Sequence, residues 1–412
     1  MRPKKRTHLF ILLFWGFSAT LSFAQHCHSQ LLHETKLQDA DYLQFRSDFE
    51  AKLQQFMRLN EGRARSPITI PVVFHIVWNE EDENIADAQI LSQLAVLNKD
   101  FRKLNAEQSS IAAEFQALAA DMELDFVLAE YDPDGNPTSG ITRKFTEVVN
   151  IGDRFLDNRR SICYNDLGGQ DAWCPDSYLN IWVGALEAGI AQSSFPGMDP
   201  LDEDGIRIEP KFVGTIGTAT PPYHLGRTLT HEIGHFFDLF HLWGGFGGCD
   251  VDDGIEDTPL QATTYLGDCP SSAAFSCGTS DMYMNYLNYT DDACMAMFSQ
   301  GQKERVWAVL NTERTGFLNQ EFCDLNVQVE ELIEEDIQVY PNPVRNEVVL
   351  EWSKQSLDQI VLMNVNGTII EQWTIKNSQE KLQWNCSKLS KGIYFFIFQS
   401  TSSIKTQKLI VI

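Results

Sequence analysis

Positive charge is scarce in this chain. There are 32 Lys and Arg against 57 Asp and Glu over 412 residues, a formal charge of −25. So acidic a surface repels phosphate backbones, which argues against nucleic acid as a partner. Long hydrophobic runs are also missing, since none beyond the N-terminus approaches the roughly 18 residues that suggest a membrane span, so no transmembrane segment is expected. The N-terminal run from Leu9 to Phe17 is itself too short to span. With Arg2, Lys4, Lys5 and Arg6 before it and Ser22-Phe23-Ala24 after it, residues 1–24 read as a secretory signal. Cysteine is sparse, nine in all, and in an exported chain the eight other than Cys27 are expected in disulfides rather than metal sites.

Histidine is equally rare at nine residues, yet three fall in one stretch, His-Glu-Ile-Gly-His-Phe-Phe-Asp-Leu-Phe-His from His231 to His241. On a helix His231 and His235 lie one turn apart and project from one face, where both can hold a zinc ion. Glu232 then stands beside the metal, placed to take a proton from a zinc-bound water and pass it to a leaving amine. That is the chemistry of peptide-bond hydrolysis. His241 would lie about 9 Å further along a straight helix, so the helix must end before it if it is to be the third ligand. A Gly commonly makes that break in a left-handed conformation, and here the position is Asp238.

The segments Leu225-Gly226-Arg227 and His241-Leu242-Trp243-Gly244 around the motif resemble the pappalysin family of metzincin peptidases. So does Asn285-Tyr286-Leu287-Asn288-Tyr289-Thr290-Asp291-Asp292-Ala293-Cys294-Met295, which is similar to that family's Met-turn segment. The strand-like runs Ile70-Pro71-Val72-Val73-Phe74-His75 and Tyr178-Leu179-Asn180-Ile181-Trp182 extend the likeness, which covers about Ile68 to Leu310. The resemblance implies that Leu287 stands at the Met position beneath the zinc ligands and that Tyr289 steadies the oxyanion. It further implies the disulfides Cys249–Cys277 and Cys269–Cys294. Cys163–Cys174 is expected as a local loop, and Cys323 and Cys386 stay unassigned.

Gln25 to Arg65 is polar and helix-prone and resembles a pro-segment. Its Cys27 can offer a thiolate to the zinc in place of water. Asp252, Asp253, Asp257 and Thr258 concentrate hard oxygen ligands after the zinc motif, which suggests structural calcium. Asp292, after the Met-turn, is the candidate floor of the pocket beyond the scissile bond, where a carboxylate favours Arg and, less so, Lys. Gly62-Arg63-Ala64-Arg65 offers such residues at the junction with the pro-segment.

The expected fold is α+β over residues 66–329, a metzincin-like catalytic domain with a twisted sheet, helices, a zinc cleft and an irregular lower part. Strands are expected around 68–78, 122–131 and 178–183. Helices are expected around 86–103, 110–120, 224–237 and from Gly301 to Asn311. Past the acidic run Glu330-Glu331 and Glu334-Glu335-Asp336, residues 330–412 alternate as six short strands of a small all-β sandwich. There Tyr340-Pro341-Asn342-Pro343, Gly392-Ile393-Tyr394 and the terminal Lys-Leu-Ile-Val-Ile resemble the type IX secretion sorting domain of Bacteroidota. The partners so implied are that export machinery and protein or peptide substrates, met outside the cell or at its surface. The competing reading is a catalytically weak surface adhesin on the same fold.

Overall fold

The computed structural model describes residues 27–60, 65–319 and 337–411, apart from residues 188, 245–246, 271–273, 353–356, 365–368, 376–380 and 401–403. The signal over 1–24, Gly62, Arg63 and Ala64, Cys323 and the acidic run before Ile337 lie outside the described residues. The chain forms two compact units, Met1–Cys323 and Asp324–Ile412.

The first unit opens with two helices, α1 (Ser29–Lys36) and α2 (Ala40–Asn60). Tyr42, Arg46, Phe49 and Leu53 are the buried residues of α2, and their spacing of three and four puts them on one face. That face packs on α5 (Gln300–Thr312).

β1 (Ile68–Trp78) is a nearly unbroken apolar run and is buried over most of its length, as expected of a strand inside a largely parallel sheet. It pairs in parallel with β2 (Leu124–Leu128) at one end, β3 (Ile141–Phe145) at the other, and β4 (Leu179–Val183) on its opposite side. The sheet then continues through β6 (Ile206–Ile208) to β5 (Ala191–Ser193), which is antiparallel to its neighbour. α3 (Asp87–Asp100) packs on β2 and on α4 (Arg227–Phe236), the helix that carries the histidine motif. β5 also lies against α4, so this edge strand borders the motif.

The helix expected around 110–120 does not form. Ala106–Ser110 is a single 3-10 turn, and the following residues make successive tight turns. Good helix formers lose here to tertiary contacts: Ile111, Phe115, Ala119 and Ala120 are buried, Ala120 N–H donates to the Phe298 carbonyl at 2.9 Å, and Ala119 bridges Ser299.

The second unit is two antiparallel sheets. One contains β7 (Ile337–Tyr340), β8 (Glu347–Trp352) and β11 (Lys381–Asn385). The other runs β10 (Ile369–Thr374), β9 (Leu357–Asn364), β12 (Gly392–Ser400), β13 (Ile404–Val411). Its core includes Val348, Leu350, Trp352, Ile360, Leu362, Phe396, Phe398 and Leu409. β11 was not anticipated, because Lys-Leu-Gln-Trp-Asn has only two apolar residues and is half exposed.

Candidate metal centre

All ten residues of α4 are buried. The helix starts after Gly226 at φ 80°, a left-handed position natural to glycine but without a side chain to cap the first amides. Asp292 supplies the acceptor from a distant loop, its Oδ2 receiving the N–H groups of Leu225 at 2.7 Å and Arg227 at 3.3 Å. At the other end Asp238 N–H donates to His235 O and Leu239 N–H to Gly234 O, both at 2.9 Å, with Asp238 at φ 68°. This is the Schellman arrangement that ends a helix through one left-handed residue. The chain turns there, and His241 comes back to the helix.

The three imidazoles meet at one point. Nε2–Nε2 separations are 3.1 Å for His231–His235, 3.1 Å for His235–His241 and 3.2 Å for His231–His241. His231 Nδ1–H donates to Tyr286 O at 2.6 Å and His235 Nδ1–H to Leu239 O at 2.7 Å. With their protons on Nδ1, both rings aim bare Nε2 lone pairs at the same spot, an arrangement a cation between them relieves. A tetrahedral ion at about 2.0–2.1 Å from each nitrogen would set them about 3.3 Å apart, so the donor set fits zinc. Burial, then the neighbouring His231, holds His235 well below the usual imidazole range, which favours the neutral ring. His241 stacks on Trp243 at 4.4 Å and 7°.

Leu287 lies directly beneath the helix. A Cβ added at Gly234 would come within 2.9 Å of Leu287 Cδ2, so glycine at 234 leaves room for a Leu287 side chain that a larger residue would push aside. Leu287 and Tyr286 are fully buried, and the Tyr286 carbonyl aims His231 while Leu287 supplies the packing.

The segment before α1 enters the same site. A ligand atom from each of Cys27, His231, His235 and His241 can lie within 4.8 Å of all the others, which among the described residues is the only such grouping of three or more. Ser29 Oγ donates to Glu232 Oε2 at 2.7 Å and accepts the Ser193 N–H of β5 at 2.7 Å. Gln30 Oε1 accepts the His241 N–H at 2.9 Å, and Tyr289 OH donates to the Cys27 carbonyl at 2.9 Å. Burial pushes the Glu232 carboxyl up to about 7, against the hydrogen bonds from Ser29 and Cys27. Burial and the neighbouring Glu232 push the Cys27 thiol up as well, so a thiolate there needs a cation beside it.

Asp292 lines a pocket with Cys27, His231, Glu232, Tyr289 and Ile190, and burial raises its carboxyl to about 6. The four oxygen-bearing residues considered for calcium are largely committed to holding the protein. Asp257 receives Ser299 Oγ at 2.7 Å and Gly301 N–H at 2.9 Å, tying this loop to the start of α5. Asp253 Oδ1 receives Thr258 Oγ1 at 2.7 Å and Ile255 N–H at 3.1 Å, and Asp252 receives Gly254 N–H at 3.0 Å.

Disulfides join Cys249 to Cys277 and Cys269 to Cys294. The expected Cys163–Cys174 bridge is wrong. Cys163 is a free thiol buried with Val77, Ile162 and Trp182, whereas Cys174 packs in a separate cluster with Val73 and Tyr178 and is itself disulfide-bonded. Cys386 is a free buried thiol of the second unit's core.

Sequence reasoning missed the residues that hold this site rather than form it. Ser29, Gln30, Tyr286 and Trp243 have no diagnostic spacing. Arg46, Glu50 and Arg305 were missed as well, although a buried-face register on α2 does place Arg46 between Tyr42 and Phe49. Arg46 Nη1 lies 2.6 Å from Asp238 Oδ1, Arg305 Nη2 lies 2.6 Å from Asp238 Oδ2, and Arg305 Nη2 lies 2.7 Å from Glu50 Oε2. Asp238 is fully buried.

Residues 163–311 match the family model described as pregnancy-associated plasma protein-A, and residues 338–412 match the secretion system C-terminal sorting domain. An extracellular metalloprotease of Colletotrichum graminicola is 30% identical over 259 residues, covering 61% of this chain and 79% of that protein. One from Arthroderma otae is 36% identical over 260 residues, covering 60% and 80%. Among solved structures, a promirolysin mutant from Tannerella forsythia superposes with a TM-score of 0.62 at 37% identity, covering 72% of this chain and 97% of that one. Mature mirolysin in complex with a cleaved peptide gives 0.58 at 41% identity, covering 63% and 97%.

Proposed function

The chain belongs to the pappalysin family of zinc metallopeptidases and carries a type IX secretion sorting domain, and on that premise we propose that this secreted or cell-surface zinc metalloendopeptidase is made as a zymogen. Residues 25–65 hold the centre closed through Cys27. The released enzyme cuts before Arg and, to a lesser degree, Lys. The observation that carries the latency is the Cys27 sulfur grouped with the three imidazoles, beside a carboxylate already bonded to Ser29.

His231, His235 and His241 would hold the zinc. When bound, it supplies a Lewis acid that polarises the scissile carbonyl and makes water a usable nucleophile at neutral pH. Glu232 takes the proton of the attacking water on a carboxylate oxygen and delivers it to the nitrogen of the leaving amine. A carboxyl raised toward neutrality suits both steps. Tyr289, whose hydroxyl donates to the Cys27 carbonyl at 2.9 Å, would donate instead to the carbonyl oxygen of a substrate as it gains charge. The free side of β5, which takes the His28 N–H on the Ala191 carbonyl at 3.5 Å, offers an extended peptide a strand to pair with.

Arg preference rests on Asp292, a carboxylate in the pocket beside Glu232 that a guanidinium can meet in a bidentate pair. Calcium is a lesser part of the reading and rests on Asp253. Its Oδ2 is buried and, among the described residues, has no hydrogen-bond partner, and burial raises the carboxyl to about 7.

The test is hydrolysis of casein by the full chain, by Cys27→Ala and by enzyme with the pro-segment removed, each with Glu232→Ala and a chelator as controls. Activity should appear in the second and third and vanish in both controls. Equal activity in the intact wild-type chain overturns the latency. A peptide library cut before apolar residues instead of Arg overturns the pocket assignment.

A further inference from the structure

We infer that Arg305 of α5 is a positioning residue for the third zinc ligand, clamping the left-handed turn at Asp238 that brings His241 to the metal. This rests on the reading that the three histidines hold zinc. At 238 the chain has a side chain where glycine would enter the left-handed region without strain. Asp238 sits there at φ 68°, fully buried. Nothing in its own chemistry favours burial of a carboxylate.

Arg305 supplies what is missing at both ends of the residue. Its Nε–H donates to the Asp238 backbone carbonyl at 2.9 Å, and its Nη2 meets the carboxylate Oδ2 at 2.6 Å. One rigid guanidinium fork therefore fixes the backbone and the side chain of the turn together. The same guanidinium lies 5.7 Å from the ring centroid of Phe240, the neighbour of His241. The turn also aims a second ligand, because Leu239 O, one residue on, receives His235 Nδ1–H at 2.7 Å. Slack at Asp238 would move His241 and release His235 at once.

The pro-segment touches this pair in a balanced way. Arg46 bonds both oxygens of Asp238, at 2.6 and 3.2 Å, while Glu50 one turn along α2 bonds Arg305 at 2.7 and 3.2 Å. Removing α2 takes away one cation and one anion. Asp238 and Arg305 are left as a matched pair, so the clamp persists in the mature enzyme.

The experiment measures zinc retention against a competing chelator, on the full chain and on mature enzyme released from it by cleavage at the junction. It compares wild type, Arg305→Leu, Asp238→Gly and the double variant. Losing a residue that orients a ligand weakens metal affinity by about 10–100-fold, and that range is expected for Arg305→Leu in the mature enzyme, with a smaller loss in the full chain where Arg46 still covers Asp238. Asp238→Gly alone strands the Arg305 charge and should also lose zinc. The double variant, with glycine free to make the turn and no buried charge left over, should recover to within roughly threefold of wild type. Unchanged zinc affinity in Arg305→Leu, or a double variant no better than the worse single, overturns the proposal. Should Arg305→Leu fail to fold, Arg305→Lys decides. Its single ammonium can hold the carboxylate or the carbonyl but not both, so unchanged zinc affinity there overturns it equally. Wild type that holds no zinc would instead sink the underlying metal assignment.

Discussion

Residues 27–60, the proposed pro-segment, meet the rest of the first unit in two places that work by different physics. Around Cys27 and Ser29 it fills the reactive centre with a sulfur, a hydroxyl on Glu232 and a carbonyl under Tyr289. Along α2 it touches no reacting group and instead buries Tyr42, Phe49 and Leu53 and completes the Arg46–Asp238–Arg305–Glu50 ion network. On the latency proposed above, the first contact would block chemistry and the second would supply affinity. Latency and retention should therefore respond to different substitutions.

The largest expected effect is that of Cys27→Ala, which leaves α2 docked but frees the metal. Peptidase activity of the uncleaved chain should rise on the order of a hundredfold, about 2.7 kcal/mol of lost metal contact. No rise would merge the two contacts into simple occlusion. Arg46→Leu should do the reverse. After junction cleavage the pro-segment should leave roughly thirtyfold faster, from about 2 kcal/mol of lost buried pairing, while the uncleaved chain stays silent. A silent chain with unchanged release would remove the ion network from the account.

Acid provides a milder probe of docking, through His33 of α1. Burial, then the charge of Arg46, lowers His33 to about 4, and the ring sits between Tyr42 OH and the Phe195 and Phe240 rings. The docked state therefore favours neutral His33. Its contribution is complete above about 6.5 and declines as pH falls toward 4, by about 2 kcal/mol at pH 5. Release at pH 5 should be about twentyfold faster than at pH 7, and His33→Phe should flatten that dependence. Ser29→Ala is the smallest change. Loss of one hydrogen bond to the base, about 1 kcal/mol, should raise activity of the uncleaved chain by roughly fivefold.

The two regions also differ in how far the sequence disclosed them. His231, Glu232, His235 and His241 were legible because metal chemistry dictates residue type and spacing, β1 and β4 because strands buried on both faces read as apolar runs, and α3 because one-sided burial imposes a helical period. Residues 111–119 show the limit, since their helix-forming composition gives way to contacts with Phe298 and Ser299 that are remote in sequence. Cys163 misled for the same reason, as sequence nearness to Cys174 says nothing of the separate clusters that hold them. Asp238 and Leu287 depart from the family pattern, which is what prompts the reading of a catalytically weak surface adhesin. In the structure Arg305 and Gly234 accommodate them, so neither substitution argues against an enzyme.

On the proposed latency, Cys27 and the three histidines share one zinc in the full chain. X-ray absorption at the zinc edge tests it most directly. The full-chain spectrum should show three nitrogen neighbours at about 2.0–2.1 Å and one sulfur at about 2.3 Å, with the sulfur replaced by oxygen once the pro-segment is removed. A full-chain spectrum showing only nitrogen and oxygen neighbours would contradict it.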